Sequence, residues 1–197
     1  MAKPKIAVVF YSTYGTNHGI AAAAAKAAEE AGADVRVLRI PETAPEAVVN
    51  GQDAWKAQAE RASEFPAVSN DDLVWADGIF LTSPTRYGGM ASQTRAWLDT
   101  LGGLWMQGAL VNKTITASAT SQNKNGGTEG AIQQTYVSAM HFGMIPVVPG
   151  YADSVKFEDG GNPYGFSAQP GELSEVGHRS VAYQAKRLVD ITAKLIG

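Results

Sequence analysis

Five short apolar runs, rich in β-branched and aromatic residues, recur along the chain, and helical patterns alternate with them. The runs are Ile6–Ser12 (IAVVFYS), Val35–Ile40 (VRVLRI), Gly78–Thr82 (GIFLT), Lys113–Ala119 (KTITASA) and Met144–Val148. The helical patterns are Gly19 to Ala31, closed by Gly32, then Ser92–Leu101, Glu129–His141 and Leu173–Leu195. Such alternation predicts an α/β fold, a doubly wound parallel sheet of five strands with helices on both faces. The turn-like Ser83-Pro84 is expected to stop the third strand. Two stretches break the repeat: Pro41–Asp77, with a helical portion near Glu46–Arg61, and the Gly/Pro-rich Gly150–Gly171. Loops of that length in a compact domain are usually functional or interfacial. No linker or internal repeat divides the chain, so residues 1–197 are expected to form one domain with insertions at about 41–77 and 150–171.

Composition removes several function classes. There is no cysteine, which excludes disulfides, thiolate catalysis and cysteine-held clusters. His18, His141 and His178 stand alone without ligand-spaced companions, so no metal site is expected. A net charge of -3 without a Lys/Arg cluster is a poor match to nucleic acid. No apolar run approaches the roughly 18 residues of a membrane span. Met1–Lys5 leads straight into a strand pattern without the apolar stretch of a secretion signal, and a cytoplasmic location is expected.

In a doubly wound sheet, ligands bind beyond the carboxyl ends of the strands, where the strand order reverses. For the flavodoxin-like order 2-1-3-4-5 that point lies between strands one and three. The loops in question are then Ser12–Asn17 and Ser83–Gly89. Ser12-Thr13-Tyr14-Gly15-Thr16-Asn17 is rich in hydroxyls, holds one glycine and opens a helix, a setting that favours a phosphate through backbone N–H groups and the helix dipole. No Lys or Arg lies in this loop, so binding would rest on dipoles. G-x-G-x-x-G and the Walker sequence are both absent. A second reading is plain helix capping by Ser or Thr with no ligand.

The third strand leads into Ser83-Pro84-Thr85-Arg86-Tyr87-Gly88-Gly89-Met90. Gly102-Gly103-Leu104-Trp105, His141-Phe142-Gly143-Met144 and Pro163-Tyr164-Gly165 follow. Together with the first loop, these segments resemble the WrbA family of NAD(P)H:quinone oxidoreductases, relatives of flavodoxin, over nearly the whole chain. The resemblance implies FMN as cofactor, NAD(P)H as co-substrate, a small-molecule quinone as acceptor and a homotetramer. It implies that Ser12, Thr13, Tyr14, Gly15, Thr16 and Asn17 form the FMN phosphate loop, with Tyr14 also meeting the nicotinamide cofactor. It places Thr85, Arg86 and Tyr87 beside the isoalloxazine ring and Trp105 on the quinone or nicotinamide side. Thr120, Ser121, Gln122, Asn123, Asn125 and Gly126 fall in the family's Gly-rich flavin loop, and His141 matches a histidine near the ring edge. In this chain that third loop, Thr120–Asn125, is more polar and one residue longer, and fewer glycines limit close backbone approach.

Physical chemistry supports part of this independently. A flavin needs a flat apolar slot and donors at its polar edge, and a positive group favours its reduced form. Arg86 can supply that charge, and Tyr87 and Trp105 offer aromatic faces to a planar quinone. Plainer readings stand beside these: Trp105 as a core aromatic, His141 as a satisfied core histidine, Arg86 as a surface ion-pair residue. The first loop suits a terminal phosphate, and no pyrophosphate fingerprint exists, so FMN rather than FAD is expected. With no other redox group, the expected chemistry is two-electron ping-pong turnover in one slot lined by Tyr14, Tyr87 and Trp105; the flavin carries the chemistry and no protein group is assigned a catalytic role. Trp55, Phe65 and Tyr164 in the insertions are expected to expose an oligomer interface. Rival readings are an electron carrier of flavodoxin type, which needs a strongly acidic docking face, and a non-catalytic flavodoxin-like protein.

Overall fold

A computed structural model describes residues 3–197; the first two positions of Met1–Lys5 lie outside the described residues. In chain order the elements are β1 (Lys5–Phe10), α1 (Thr16–Glu30), β2 (Asp34–Arg39), α2 (Glu46–Asn50), α3 (Asp53–Ala62), α4 (Asn70–Trp75), β3 (Gly78–Arg86) and β4 (Gly89–Met90). Next come α5 (Ser92–Asp99), α6 (Gly102–Met106), β5 (Thr114–Thr120), α7 (Thr128–His141), β6 (Ile145–Pro146), α8 (Val155–Glu158), β7 (Ser167–Ala168) and α9 (Glu175–Ile196). The parallel strands run in the order β2-β1-β3-β5-β6, the flavodoxin-like order expected, with β4 and β7 as short additions to β3 and β5.

β1 shows why the sheet is covered twice. Successive side chains point to opposite faces, and both faces of this strand are apolar. Ala7, Val9 and Tyr11 join a core with residues of α5, α6 and α7. Ile6, Val8 and Phe10 join a second core with residues of α1 and α9. A parallel strand buried on both sides reads as a continuous apolar run, which is the pattern of Ile6–Ser12.

Three boundaries differ from expectation. β3 does not stop at Thr82 but runs through Pro84 to Arg86. The Tyr11 amide donates to the Thr82 carbonyl, the last contact with β1, so the missing N–H of Pro84 points to a side that β1 has already left. The fifth strand, β6, shrinks to Ile145–Pro146, because Pro146 and Pro149 interrupt it; β7, from the late insertion, pairs with the other end of β5. The first insertion is three helices rather than one helical portion, since Gly51 separates α2 from α3 and a capping box at Ser69 starts α4.

Helix α3 packs the first insertion against α1. The His18 ring stacks on Phe10 at 5.2 Å and meets Phe65 edge-on at 5.0 Å. Burial lowers the His18 pKa, with the nearby Arg61 charge acting in the same direction. A base held below its unfolded value binds fewer protons when folded, so its contribution is complete above about pH 6.5 and is lost as pH falls toward the folded value. The thermal midpoint of the wild type should therefore drop more steeply below that pH than that of His18→Gln. Parallel curves in a pH series of melts would contradict this.

Candidate functional site

The carboxyl ends of β1, β3 and β5 open into a cleft of about 490 Å³. Its first wall is the loop from Tyr11 to Gly15. Gly15 is the N-terminal cap of α1 in a left-handed conformation, and no side chain accepts from the helix's first amides. The loop hydroxyls accept from other amides, which leaves their protons unspent: Ser12 Oγ accepts from the Gly15 amide (3.0 Å), and Thr16 Oγ1 from the Gly171 amide (3.3 Å). Among the described residues no Ser or Thr side chain caps the head of α1. Among the described residues, the first amides of this 15-residue helix have no side-chain partner, and the helix dipole adds positive potential there. Asn17 has a framing part. It is buried, donates to Thr120 Oγ1 (2.8 Å) and accepts from Thr82 Oγ1 (2.8 Å), tying α1 to the middle of β3 and the end of β5.

The second wall is the tight hairpin Arg86-Tyr87-Gly88-Gly89 between β3 and β4. Tyr87 and Gly88 both have positive φ, 51° and 83°, as a two-residue turn matched to strand twist requires. The turn leaves Tyr87 fully exposed at the cleft rim. Arg86 is exposed at the rim, donating to the Thr85 carbonyl (3.0 Å) and to Thr13 Oγ1 (2.8 Å). Thr85 Oγ1 donates to the carbonyls of Gly89 and Gly127, which fastens this hairpin to the third loop. That loop is polar but curls tightly: the Asn123 carbonyl accepts from both Ser121 Oγ (2.6 Å) and the Gly126 amide (2.9 Å).

Ser12, Thr13, Tyr14, Thr16, Asn17, Thr85, Arg86, Tyr87, Thr120, Ser121, Gln122, Asn123 and Gly126 all line this cleft. Asn125 does not; with Lys124 it faces an adjoining polar cavity that shares Ser121. Pro84 and Pro170 complete the lining without having been expected. Pro84 belongs to the Ser83–Met90 segment that follows the third apolar run, whereas nothing local marks Pro170, which reaches the site from the late insertion. Amides without a side-chain cap at a helix head, clustered hydroxyls, one guanidinium and flat aromatic and proline surfaces form a donor set that fits a flavin mononucleotide. The volume lies within the usual range of small-ligand sites.

Two expected residues are elsewhere. Trp105 and His141 meet one another, Trp105 Nε1 donating to the His141 carbonyl at 3.0 Å. His141 ends α7, whose other end borders the adjoining polar cavity. Fourteen residues of helix separate the two ends by about 20 Å at 1.5 Å per residue. Neither side chain reaches the cleft of its own chain, and the single slot lined by Tyr14, Tyr87 and Trp105 does not form within one copy. Both are exposed rather than core residues, Trp105 at 56%. Of the three aromatics expected to mark an interface, Trp55 packs edge-on against Tyr14 and Phe65 against Phe10 within the chain's own fold, whereas Tyr164 is exposed.

The class these features define is a flavodoxin-like α/β protein with a mononucleotide-type cleft at the topological switch point. The sequence profile of the NADPH-dependent FMN reductase family matches residues 4–158, and the chain belongs to that family. It is 50% identical over 198 residues to an NAD(P)H dehydrogenase (quinone) of Deinococcus radiodurans, covering 100% of this chain and 99% of the relative. An NAD(P)H dehydrogenase (quinone) of Geotalea uraniireducens is 36% identical over 201 residues, covering 97% and 98%. Among solved structures, a WrbA-like flavodoxin from Agrobacterium tumefaciens superimposes with a TM-score of 0.70 at 19% identity, covering 98% of this chain and 99% of the other. That likeness establishes the fold. No helix among the described residues is long and apolar enough to cross a membrane.

Proposed function

We propose that the chain, working as one domain over residues 1–197, is an FMN-dependent NAD(P)H:quinone oxidoreductase of the WrbA branch. The observation that carries this reading is the uncapped head of α1 facing Arg86 across a cleft at the switch point. The names of its relatives, quinone dehydrogenases that use NAD(P)H, support it. Bound FMN supplies the acceptance and release of two electrons. The chain's own residues bind and orient. Ser12, Thr13, Gly15, Thr16 and the α1 amides hold the phosphate, with Asn17 bracing the loop. Thr85, Arg86 and Tyr87 flank the ring, and Arg86 supplies positive charge where negative charge develops. The third loop, Thr120 to Gly126, closes the far side, and Tyr14 meets the nicotinamide partner. NAD(P)H and quinone use this face in turn. A cytoplasmic location follows from the reading, since its reductant is recycled there.

The direct test is an absorption spectrum of the purified protein, with mass analysis of the released cofactor and steady-state turnover. Bands of FMN, its mass, and parallel double-reciprocal lines for NAD(P)H and quinone are expected. Recovery of FAD, or intersecting lines, would contradict the reading. A carrier of single electrons is disfavoured by the modest net charge of -3.

We further read the working assembly as a homotetramer in which Trp105 and His141 serve a neighbouring copy's cleft. Support comes from the exposed apolar side chains of Trp105, Met106, Val111, Val137 and Met140, none of which lines the chain's own cleft. Sedimentation at micromolar concentration should show oligomers. Trp105→Ala should lower kcat/KM for quinone by about thirtyfold, equivalent to one aromatic contact of about 2 kcal/mol, with FMN still bound. Only monomer in sedimentation, or unchanged quinone kinetics, would refute it.

A further inference from the structure

Glu42 lies outside the cleft, just beyond β2, yet two of the cleft's walls trace back to its carboxylate. Oε1 accepts from the Thr43 and Ala44 amides (both 2.9 Å) and from Gln93 Nε2 (2.7 Å). Oε2 accepts from Tyr11 Oη (2.8 Å) and Trp55 Nε1 (3.0 Å). Burial alone would raise this carboxyl's pKa, but the hydrogen bonds outweigh burial and hold it below the usual range. From Tyr11 the chain of bonds continues inward. Thr13 Oγ1 donates to Tyr11 Oη (3.3 Å), and Arg86 Nη2 donates to Thr13 Oγ1 (2.8 Å). Tyr11 and Thr13 are both buried, so the bond between them is shielded from bulk water. On the other limb, the Trp55 ring packs edge-on against Tyr14 at 6.4 Å.

The direction of every bond in this chain is set at the Glu42 end. A carboxylate only accepts. Tyr11 must therefore spend its proton on Glu42, which leaves its lone pairs for Thr13. Thr13 must spend its proton on Tyr11, which leaves its own lone pairs for Arg86, a group that only donates. Hydrogen bonds aligned in one direction also polarise and strengthen each other in a low-dielectric interior. A guanidinium on a flexible stem at a cleft rim would otherwise sample many rotamers.

We propose that Glu42 is a positioning residue that orients Arg86 through Tyr11 and Thr13, and the Tyr14 wall through Trp55, and so sets how tightly the cleft holds FMN and at what potential the bound flavin is reduced. This rests on the FMN reading above. Glu42→Gln puts a donor or a weaker acceptor opposite Tyr11 and Trp55; Tyr11→Phe removes the middle link in a nearly isosteric way.

The test is a double-mutant cycle on flavin-free protein titrated with FMN by fluorescence quenching, with midpoint potentials measured on the reconstituted proteins. Glu42→Gln and Tyr11→Phe should each weaken FMN binding by about tenfold and move the potential to more negative values, as loss of one charge-linked bond does. Combined with Arg86→Gln, Tyr11→Phe should add less than about a twofold further loss, because coupled residues are non-additive. A structural role alone would lower the melting temperature and leave affinity and potential unchanged, or would add in full to Arg86→Gln; either result overturns the proposal. Wild-type protein that quenches no FMN fluorescence overturns the flavin reading and this proposal together. Wild-type binding with an additive cycle overturns the proposal alone.

Discussion

Gly127→Ala is expected to weaken FMN binding on the order of a hundredfold while leaving the far-ultraviolet circular dichroism unchanged, the scale set by a misplacement of about 1 Å. A Cβ at position 127 would stand 2.5 Å from the Gly88 Cα, inside any real carbon contact. Gly127 also has a φ of 86°, which costs an L-residue about 1–2 kcal/mol. The first turn of α7 offers no room for the tip to move across, because a Cβ at Gly130 would meet the Gly88 carbonyl at 2.6 Å. The strain must then be relieved by lifting the β3–β4 hairpin away from the third loop. That breaks the Thr85 bond to the Gly127 carbonyl and carries Arg86 and Tyr87 off the cleft. The helices and sheet pairings lie behind this contact and are not disturbed. Fluorescence titration with FMN decides it: wild-type affinity in Gly127→Ala would mean that the two loops are not held by this contact.

Gly165→Ala should act on stability instead, lowering it by about 3 kcal/mol or more through overpacking against backbone. For a domain of this size that is a fall of about 6–12 °C in Tm. The ideal Cβ would lie 2.0 Å from the Ala117 carbonyl oxygen, in the middle of β5. The flanking residues cannot retreat freely. The Tyr164 carbonyl accepts from Tyr136 Oη (2.7 Å), and the Phe166 amide donates to Gln184 Oε1 (2.8 Å). Gln184 and the Ala117 amide are held by the same network, so displacing the segment strips bonds from buried groups on both sides. Gly102→Ala is the control: it is a helical position with nothing within 4 Å of the added carbon, and it should leave Tm unchanged or slightly raised. Equal melting temperatures for the two variants would refute the packing argument.

Much of the fold was legible because it is written in local periodicity. The continuous apolar run of β1 and the alternation with helical segments prescribe a sheet buried on both faces, and that prescription depends on residues only a few positions apart. The loop that forms the cleft's first wall was legible for the same reason, being a strand end, a turn and a helix head in immediate succession. Short strands were not. β6 lost most of its length to Pro146 and Pro149, and β7 forms only because β5 offers it an unfilled edge, a fact about strand order rather than about Ser167 or Ala168.

The contributions of distant residues divide the same way. The hydroxyls, glycine and guanidinium of the cleft can be picked from the sequence, since the chemistry of a phosphate and a flat ring calls for those residue types. That Pro170 reaches the cleft from far along the chain, that Asn125 turns into a neighbouring cavity, and that Trp105 and His141 lie at the far end of a helix about 20 Å long are consequences of where helices end. The Glu42 network belongs with them: its members span positions 11 to 93 and become neighbours only through the strand order. By itself, then, the sequence determined the alternation, the switch-point loop and the types of side chain available to it. The tertiary structure decided which of those side chains share one cleft, because hydrogen bonds and packing act over a few ångströms of space regardless of separation along the chain.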